Sequence, residues 1–196
     1  MKTIRFALII LLSIFTNNVS FAKDPSALII EIVDEAATVL SSSKSVNVKI
    51  ETLNDIAERS VDIDGIGMYT LGKYRKSLSE NQIKEYKTLF RKYFLKSFSS
   101  RLSEYTDPKI NVLSEEIINK KYTIVSSVLE ANEKRPKIKI DWRVYTINPE
   151  KPLVRDLIIE GLSLVRTQRE EFSSVIQNGD GNIEVLFSNL RKFIAN

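Results

Sequence analysis

The residues best suited by type to carry chemistry sit in Asp156-x-x-x-Glu160-Gly161-x-Ser163, with Arg169 downstream. Carboxylates and a guanidinium at this spacing suit a buried ion pair or helix-end capping. Ser163 is read most simply as an N-cap. Gly161 suits a tight strand-to-helix turn. Asp62 and Asp64 form a second acidic pair, but two carboxylates without further clustered ligands favour helix capping over a metal. Tyr74, Tyr86 and Tyr93 are read as packing residues rather than acid catalysts. The chain has no His and no Cys. The usual general base is therefore missing, as are the thiol nucleophile and the thiolate metal ligand. A Ser-His-Asp triad is impossible. These absences weigh against catalysis.

The N-terminus carries a different signal. Lys2 and Arg5 precede the ten-residue apolar run FALIILLSIF, and Ser20-Phe21-Ala22 places small residues where a signal peptidase reads. Residues 1–22 are expected to be a cleaved secretory signal peptide, since the run is well short of the roughly 20 apolar residues of a membrane span. Residues 23–196 are expected to form one domain. The 29 Lys+Arg and 25 Asp+Glu of the whole chain are interspersed, so its formal charge of +4 leaves no nucleic-acid footprint. The basic residues read as solvated faces with a bias toward anionic membrane surfaces. With no cysteine, no disulfide can help the core.

The elements that must position the polar residues follow from periodicity. Asp24-Pro25 reads as N-cap and first helical residue, opening an amphipathic helix to about Ser42. Helices are also expected over about 47–59 and 63–71, with Gly72 as a terminator. Ser79 and Gln82 form a capping-box pattern ahead of the longest helix. Its apolar face carries Ile83, Tyr86, Leu89, Phe90, Tyr93, Phe94, Phe98 and Leu102. Strands are expected over 110–113, 122–130, 137–145 and 153–160, the last of them central. In the third, Ile138, Ile140, Trp142 and Val144 face one way, while Lys137, Lys139, Asp141 and Arg143 face the other. Helices over about 163–177 and 182–194 close the chain. The expected fold class is α+β: a curved antiparallel sheet of about four strands, with helices on one face enclosing an apolar cavity.

Four segments, in order, resemble the MlaC (toluene-tolerance, Ttg2-type) family. They are VDIDGIGMYTLGKYRK, the aromatic-faced long helix, the alternating strand with Asp141-Trp142, and Asp156-x-x-x-Glu160-Gly161-x-Ser163 with Arg169-x-x-Phe172 and the late Leu190-Arg191. One departure is Pro152, where members often carry Trp. The resemblance implies a periplasmic phospholipid-binding protein that shuttles lipid between the inner and outer membranes and so maintains outer-membrane asymmetry. The implied partners are an inner-membrane ABC transporter complex with an MCE-type subunit and an outer-membrane lipoprotein–porin complex. No cofactor is implied beyond phospholipid as cargo, no catalysis and no nucleic acid; a monomer is expected.

The physics of such cargo matches a site without conspicuous reactive groups. Exposing an acyl chain of about 16 carbons to water costs on the order of 12 kcal/mol, at about 0.8 kcal/mol per methylene. A carrier needs a dry apolar slot above all. The slot is expected between the sheet's apolar face and the helices. Its candidate lining on the sheet is Val125, Leu129, Ile140, Trp142, Val144, Leu157 and Ile159. On the helices it is Tyr69, Phe94, Phe98, Val165 and Phe172. For each, ordinary core packing is the competing role. Arg169 either joins a structural ion pair or steers phosphate at the mouth. The rival reading is a small-molecule-binding or acid–base enzyme on a cone-shaped α+β scaffold, which requires a polar-ended pocket.

Overall fold

The structure, a computed structural model, describes residues 23–103, 108–133 and 135–196. The expected signal peptide, residues 1–22, lies outside the described residues.

Helix α1 (Pro25–Ser41) starts where Asp24 accepts a bond from the Ser26 N–H and Pro25 supplies a preset φ. Helices α2 (Val46–Ser60) and α3 (Ile63–Thr70) are capped by the Ser45 and Asp62 side chains. A 3-10 turn over Gly72–Lys76 leads to α4 (Glu80–Ser103). At the start of α4, the Ser79 N–H donates to Gln82 at 3.0 Å and the Gln82 N–H donates back to Ser79 at 3.3 Å, the reciprocal bonds of a capping box.

The strands β1 (Ile110–Asn119), β2 (Tyr122–Leu129), β3 (Ile138–Tyr145), β4 (Leu153–Ile159) and β5 (Leu162–Ser163) form one antiparallel meander in the order β1-β2-β3-β4-β5. Helices α5 (Leu164–Asn178) and α6 (Ile183–Ala195) follow. The α+β class stands. Several details differ from expectation. Strand β4, expected to be central, lies beside the two-residue β5 and leaves β3 in the middle, and helices lie on both faces of the sheet, α1 on one and α3 and α5 on the other. Strand β1 runs on through Ser114, Glu115 and Glu116, because an exposed edge strand needs no apolar alternation. The fifth strand is a two-residue hairpin return. Glu160 (φ 48°) and Gly161 (φ 83°) both take left-handed conformations, as a two-residue hairpin loop demands.

Among the described residues, three apolar clusters hold the fold together. One lies between α1 and the sheet, through Leu28, Ile29 and Val33 against Val125, Val144 and Val154. A second joins α1 and α2 through Val39, Leu40, Leu53 and Ile56, with Phe98 and Leu102 of α4 packed against it. The third unites α3–α6 around Tyr86, Phe90, Phe172, Ile176 and Phe187. Val61 touches the first and third clusters, and its backbone bridges to Val154 on β4.

Candidate functional site: an open apolar floor and an arginine-lined cleft

Register places Val125, Trp142 and Leu157 in one cross-strand row on the inner face. Exposure rises along that row, with Trp142 and Leu157 packed at the margin of the α1–sheet cluster. Val125 is 0% exposed beneath α1, whereas Trp142 and Leu157 are only half-buried. The reason is the path of α1, which packs over β1 and β2 and leaves the inner side of β3–β4 less covered. The next row repeats the trend, from fully buried Ser127 through Ile140 to half-buried Ile159. The floor is also chemically quiet. The Trp142 indole N–H donates to Ser127 Oγ at 2.8 Å, and that hydroxyl donates to the Ile140 carbonyl at 3.1 Å. With its polar atom satisfied, the indole presents hydrocarbon.

The other expected lining residues spread over all three clusters. Val144 and Leu129 are buried core residues of the sheet. Phe94 and Phe98 stack at 5.9 Å with an interplanar angle of 9°. Both are half-buried, Phe94 against the α3–α6 cluster and Phe98 against the α1–α2 cluster. Phe172 is buried edge-on to Phe90 at 6.3 Å, deep in the α3–α6 cluster. The expected set is thus divided among filled core, half-buried positions and, at Tyr69, an exposed ring.

A cleft of about 460 Å³ lies on the opposite side of the sheet. Ile124, Asp141, Arg143 and Ile158 form its sheet wall, alternating with the inner-face residues. Ile66 and Tyr69 of α3 and Val165 and Arg166 of α5 form the other wall. Tyr69 and Val165 are the expected lining residues found here; the expected sheet residues point the other way. Strand alternation carries the signal for Asp141 and Arg143, which the sequence placed on the polar face. It does not reveal that α3 and α5 roof that face.

Most charges in the cleft are structurally engaged. Asp156, 3% exposed, accepts bonds from Ser163 Oγ (2.6 Å) and the Val165 N–H (3.1 Å), and it pairs with Arg143 at 3.4 Å. Asp156 and the Ser163 N-cap together fix the start of α5. The cation beside Asp156 is Arg143, not Arg169, and the Glu160 carboxylate instead accepts the Lys139 N–H. An ion pair among Asp156, Glu160 and Arg169 is therefore corrected. The Arg155 guanidinium donates to Asp62 and to Tyr122 OH (3.1 Å) and lies 3.5 Å from the Tyr145 ring centre. Burial works against its charge, but these partners outweigh it and hold its pKa above the usual value. Arg166 is exposed and has no ion-pair partner among the described residues. Arg169, one turn on, lies over the Tyr69 ring at 5.0 Å. Asp62 caps α3, while Asp64 pairs with Arg91 at 2.9 Å. Among the described residues no group of three or more His, Cys, Asp or Glu is placed to hold a metal ion.

Residues 30–192 match the family described as MlaC protein, a span from α1 to α6. The chain belongs to the MlaC family. Among solved structures, this MlaC-family chain is similar to a phospholipid-binding protein from Ralstonia solanacearum, determined in complex with a phospholipid at 1.53 Å resolution. The TM-score is 0.74 at 17% sequence identity, over 88% of this chain and 98% of the other. At that identity the likeness establishes the fold. No curated protein matches the sequence. Among the described residues, no helix of this MlaC-family chain is long and apolar enough to cross a membrane.

Proposed function

We propose that this MlaC-family chain is a soluble periplasmic phospholipid carrier and not an enzyme. It takes up acyl chains against the inner face of β3–β4 and ferries lipid between the inner and outer membranes to maintain asymmetry. Its exchange partners are the inner-membrane ABC transporter complex with an MCE-type subunit and the outer-membrane lipoprotein–porin complex. Residues 1–22 direct its export and are removed, leaving residues 23–196 as a single monomeric domain. The cargo is phospholipid, with no further cofactor.

The observation that carries this reading is the half-open row of Trp142 and Leu157 beside fully buried Val125. An apolar floor with its one polar atom internally bonded binds hydrocarbon well and water poorly. The half-buried Phe94–Phe98 stack adds apolar surface on the helical side. The similar protein from Ralstonia solanacearum, solved with a phospholipid, supports the cargo class. An acid–base enzyme would need a carboxylate free to move a proton. In the cleft, Asp156 is held by three donors and Asp141 by Ser126 and Lys139.

Native mass spectrometry of the protein purified from a periplasm tests the proposal. The wild type is expected to carry a phospholipid mass. Trp142→Glu and Leu157→Glu, each placing a charge on the floor, are expected to lose it while remaining folded. A wild type that stays free of lipid after mixing with vesicles overturns the carrier reading. Folded variants that keep their lipid overturn the assignment of the floor.

A further inference from the structure

The β1–β2 hairpin tip and the β3–β4 loop lie at the same end of the sheet. Tyr122 pairs with Tyr145 across β2 and β3, and the Thr146 N–H donates to the Lys121 carbonyl at 2.9 Å. This end carries three large apolar side chains in open solvent: Ile117 at 75%, Ile118 at 51% and Ile147 at 55% exposure. Hairpin tips ordinarily favour Gly, Asn and Asp, so isoleucines here contribute nothing to the turn. A register shift between Ile117 and Asn119 takes Ile118 out of the ladder. The lysines next to them, Lys120, Lys121 and Lys151, are exposed and free of ion pairs among the described residues. Residues 117–122 and 146–152 hold one acid, Glu150, against these three lysines, while Glu116 directly precedes Ile117 on β1.

Directly beneath, the Tyr122 and Tyr145 rings meet at 5.5 Å, and the Arg155 guanidinium is held between Tyr145, Tyr122 and Asp62. The tip therefore rests on a clamped base. Exposed apolar side chains with lysines next to them match the hydrocarbon and the anionic headgroups of a bilayer surface.

We infer that this end of the sheet is a membrane-contact surface that inserts Ile117, Ile118 and Ile147 into the outer part of an anionic phospholipid bilayer while Lys120, Lys121 and Lys151 engage its headgroups. The excess of unpaired lysines selects an anionic lipid surface over a neutral one. Ile118, Asn119 and Tyr122 also form one end of the arginine-lined cleft, so contact here brings the cleft to the bilayer surface. The inference concerns docking and goes beyond the carrier reading, since a surface of this kind works whether or not the interior holds lipid.

Flotation of the purified protein with vesicles separates the possibilities. The vesicles are phosphatidylglycerol–phosphatidylethanolamine mixtures or pure phosphatidylcholine, at low and high salt. The wild type is expected to bind the anionic vesicles, and high salt is expected to weaken that binding. Ile117→Ser/Ile118→Ser is expected to lower affinity by roughly ten-fold or more. Lys120→Glu/Lys121→Glu is expected to abolish the preference for anionic over neutral vesicles and the salt dependence. Both pairs are exposed, and circular dichroism confirms that each variant is folded. Absence of wild-type binding to anionic vesicles overturns the inference, as does wild-type binding left intact in both variants. A surface that instead binds a protein partner appears as no vesicle binding and also overturns it. Native mass spectrometry of the same samples keeps the two readings apart. Vesicle binding without bound lipid sinks the carrier reading alone; bound lipid without vesicle binding sinks the contact surface alone.

Discussion

Tyr86 illustrates how much a single phenol can report about the core. It is 0% exposed, and its hydroxyl lies 2.8 Å from Thr70 Oγ1, which itself donates to the Gly67 carbonyl. Burial pushes its pKa well above the usual tyrosine value. The unfolded chain releases that proton near pH 10, whereas the folded protein keeps it. The associated stability is complete below about pH 10 and is lost as pH rises beyond it. The urea midpoint is expected to fall above about pH 10. Tyr86→Phe is expected to be about 1 kcal/mol less stable at neutral pH, because Thr70 loses a partner, yet to show a shallower alkaline decline. A decline as steep as the wild type's would assign the effect to other groups. The packing role of Tyr86 was legible from its place on the α4 apolar face. Its bond to Thr70 was not, because that bond joins α3 to α4 through space.

Helices α3 and α4 approach closely at Gly67, where a Cβ would sit 2.7 Å from Phe90 Cδ1. Phe90 cannot yield easily. It is 2% exposed and surrounded by the rings of Tyr86, Tyr93, Phe94 and Phe172. Alanine favours helix over glycine by up to about 1 kcal/mol, but overpacking a filled contact costs about 1–3 kcal/mol. Gly67→Ala is therefore expected to destabilise the protein in urea unfolding; an unchanged or higher midpoint would mean that α3 and α4 part freely. Elements with local signals were well read from sequence. Asp24-Pro25 opens α1, Ser79 and Gln82 box the start of α4, and Ser163 caps α5. The full length of β1 is not legible, since Ser114, Glu115 and Glu116 break the alternation without breaking the pairing with β2.

At the scale of the molecule, the apolar interior of the described residues is divided into three clusters, with Val61 and Ile32 each shared between two of them. A bound acyl chain adds contacts that the empty protein lacks, and any ligand selective for the folded state raises its stability. Lipid held at about a hundred times its dissociation constant contributes about 2.7 kcal/mol, or roughly 5–10 °C in melting temperature for a domain of this size. Protein stripped of lipid by solvent extraction and refolded is expected to melt lower by that margin, and adding lipid back is expected to restore it. Equal melting temperatures for loaded and stripped protein would mean that the cargo makes no selective contact with the fold.

Composition and periodicity alone determined the absence of His and Cys chemistry, the α+β class, the alternating faces of β3 and the helix starts. These properties are local: each depends on residue type and on neighbours within a turn or a strand. The tertiary structure decided which faces are covered. It laid α1 over β1 and β2 and left Trp142 and Leu157 half open, roofed the face of Asp141 and Arg143 with α3 and α5, and gave Asp156 to Arg143 rather than Arg169. Coverage depends on how elements far apart in the chain cross one another. A period-2 or period-3.6 pattern fixes only which side of an element is apolar, not what comes to lie against it.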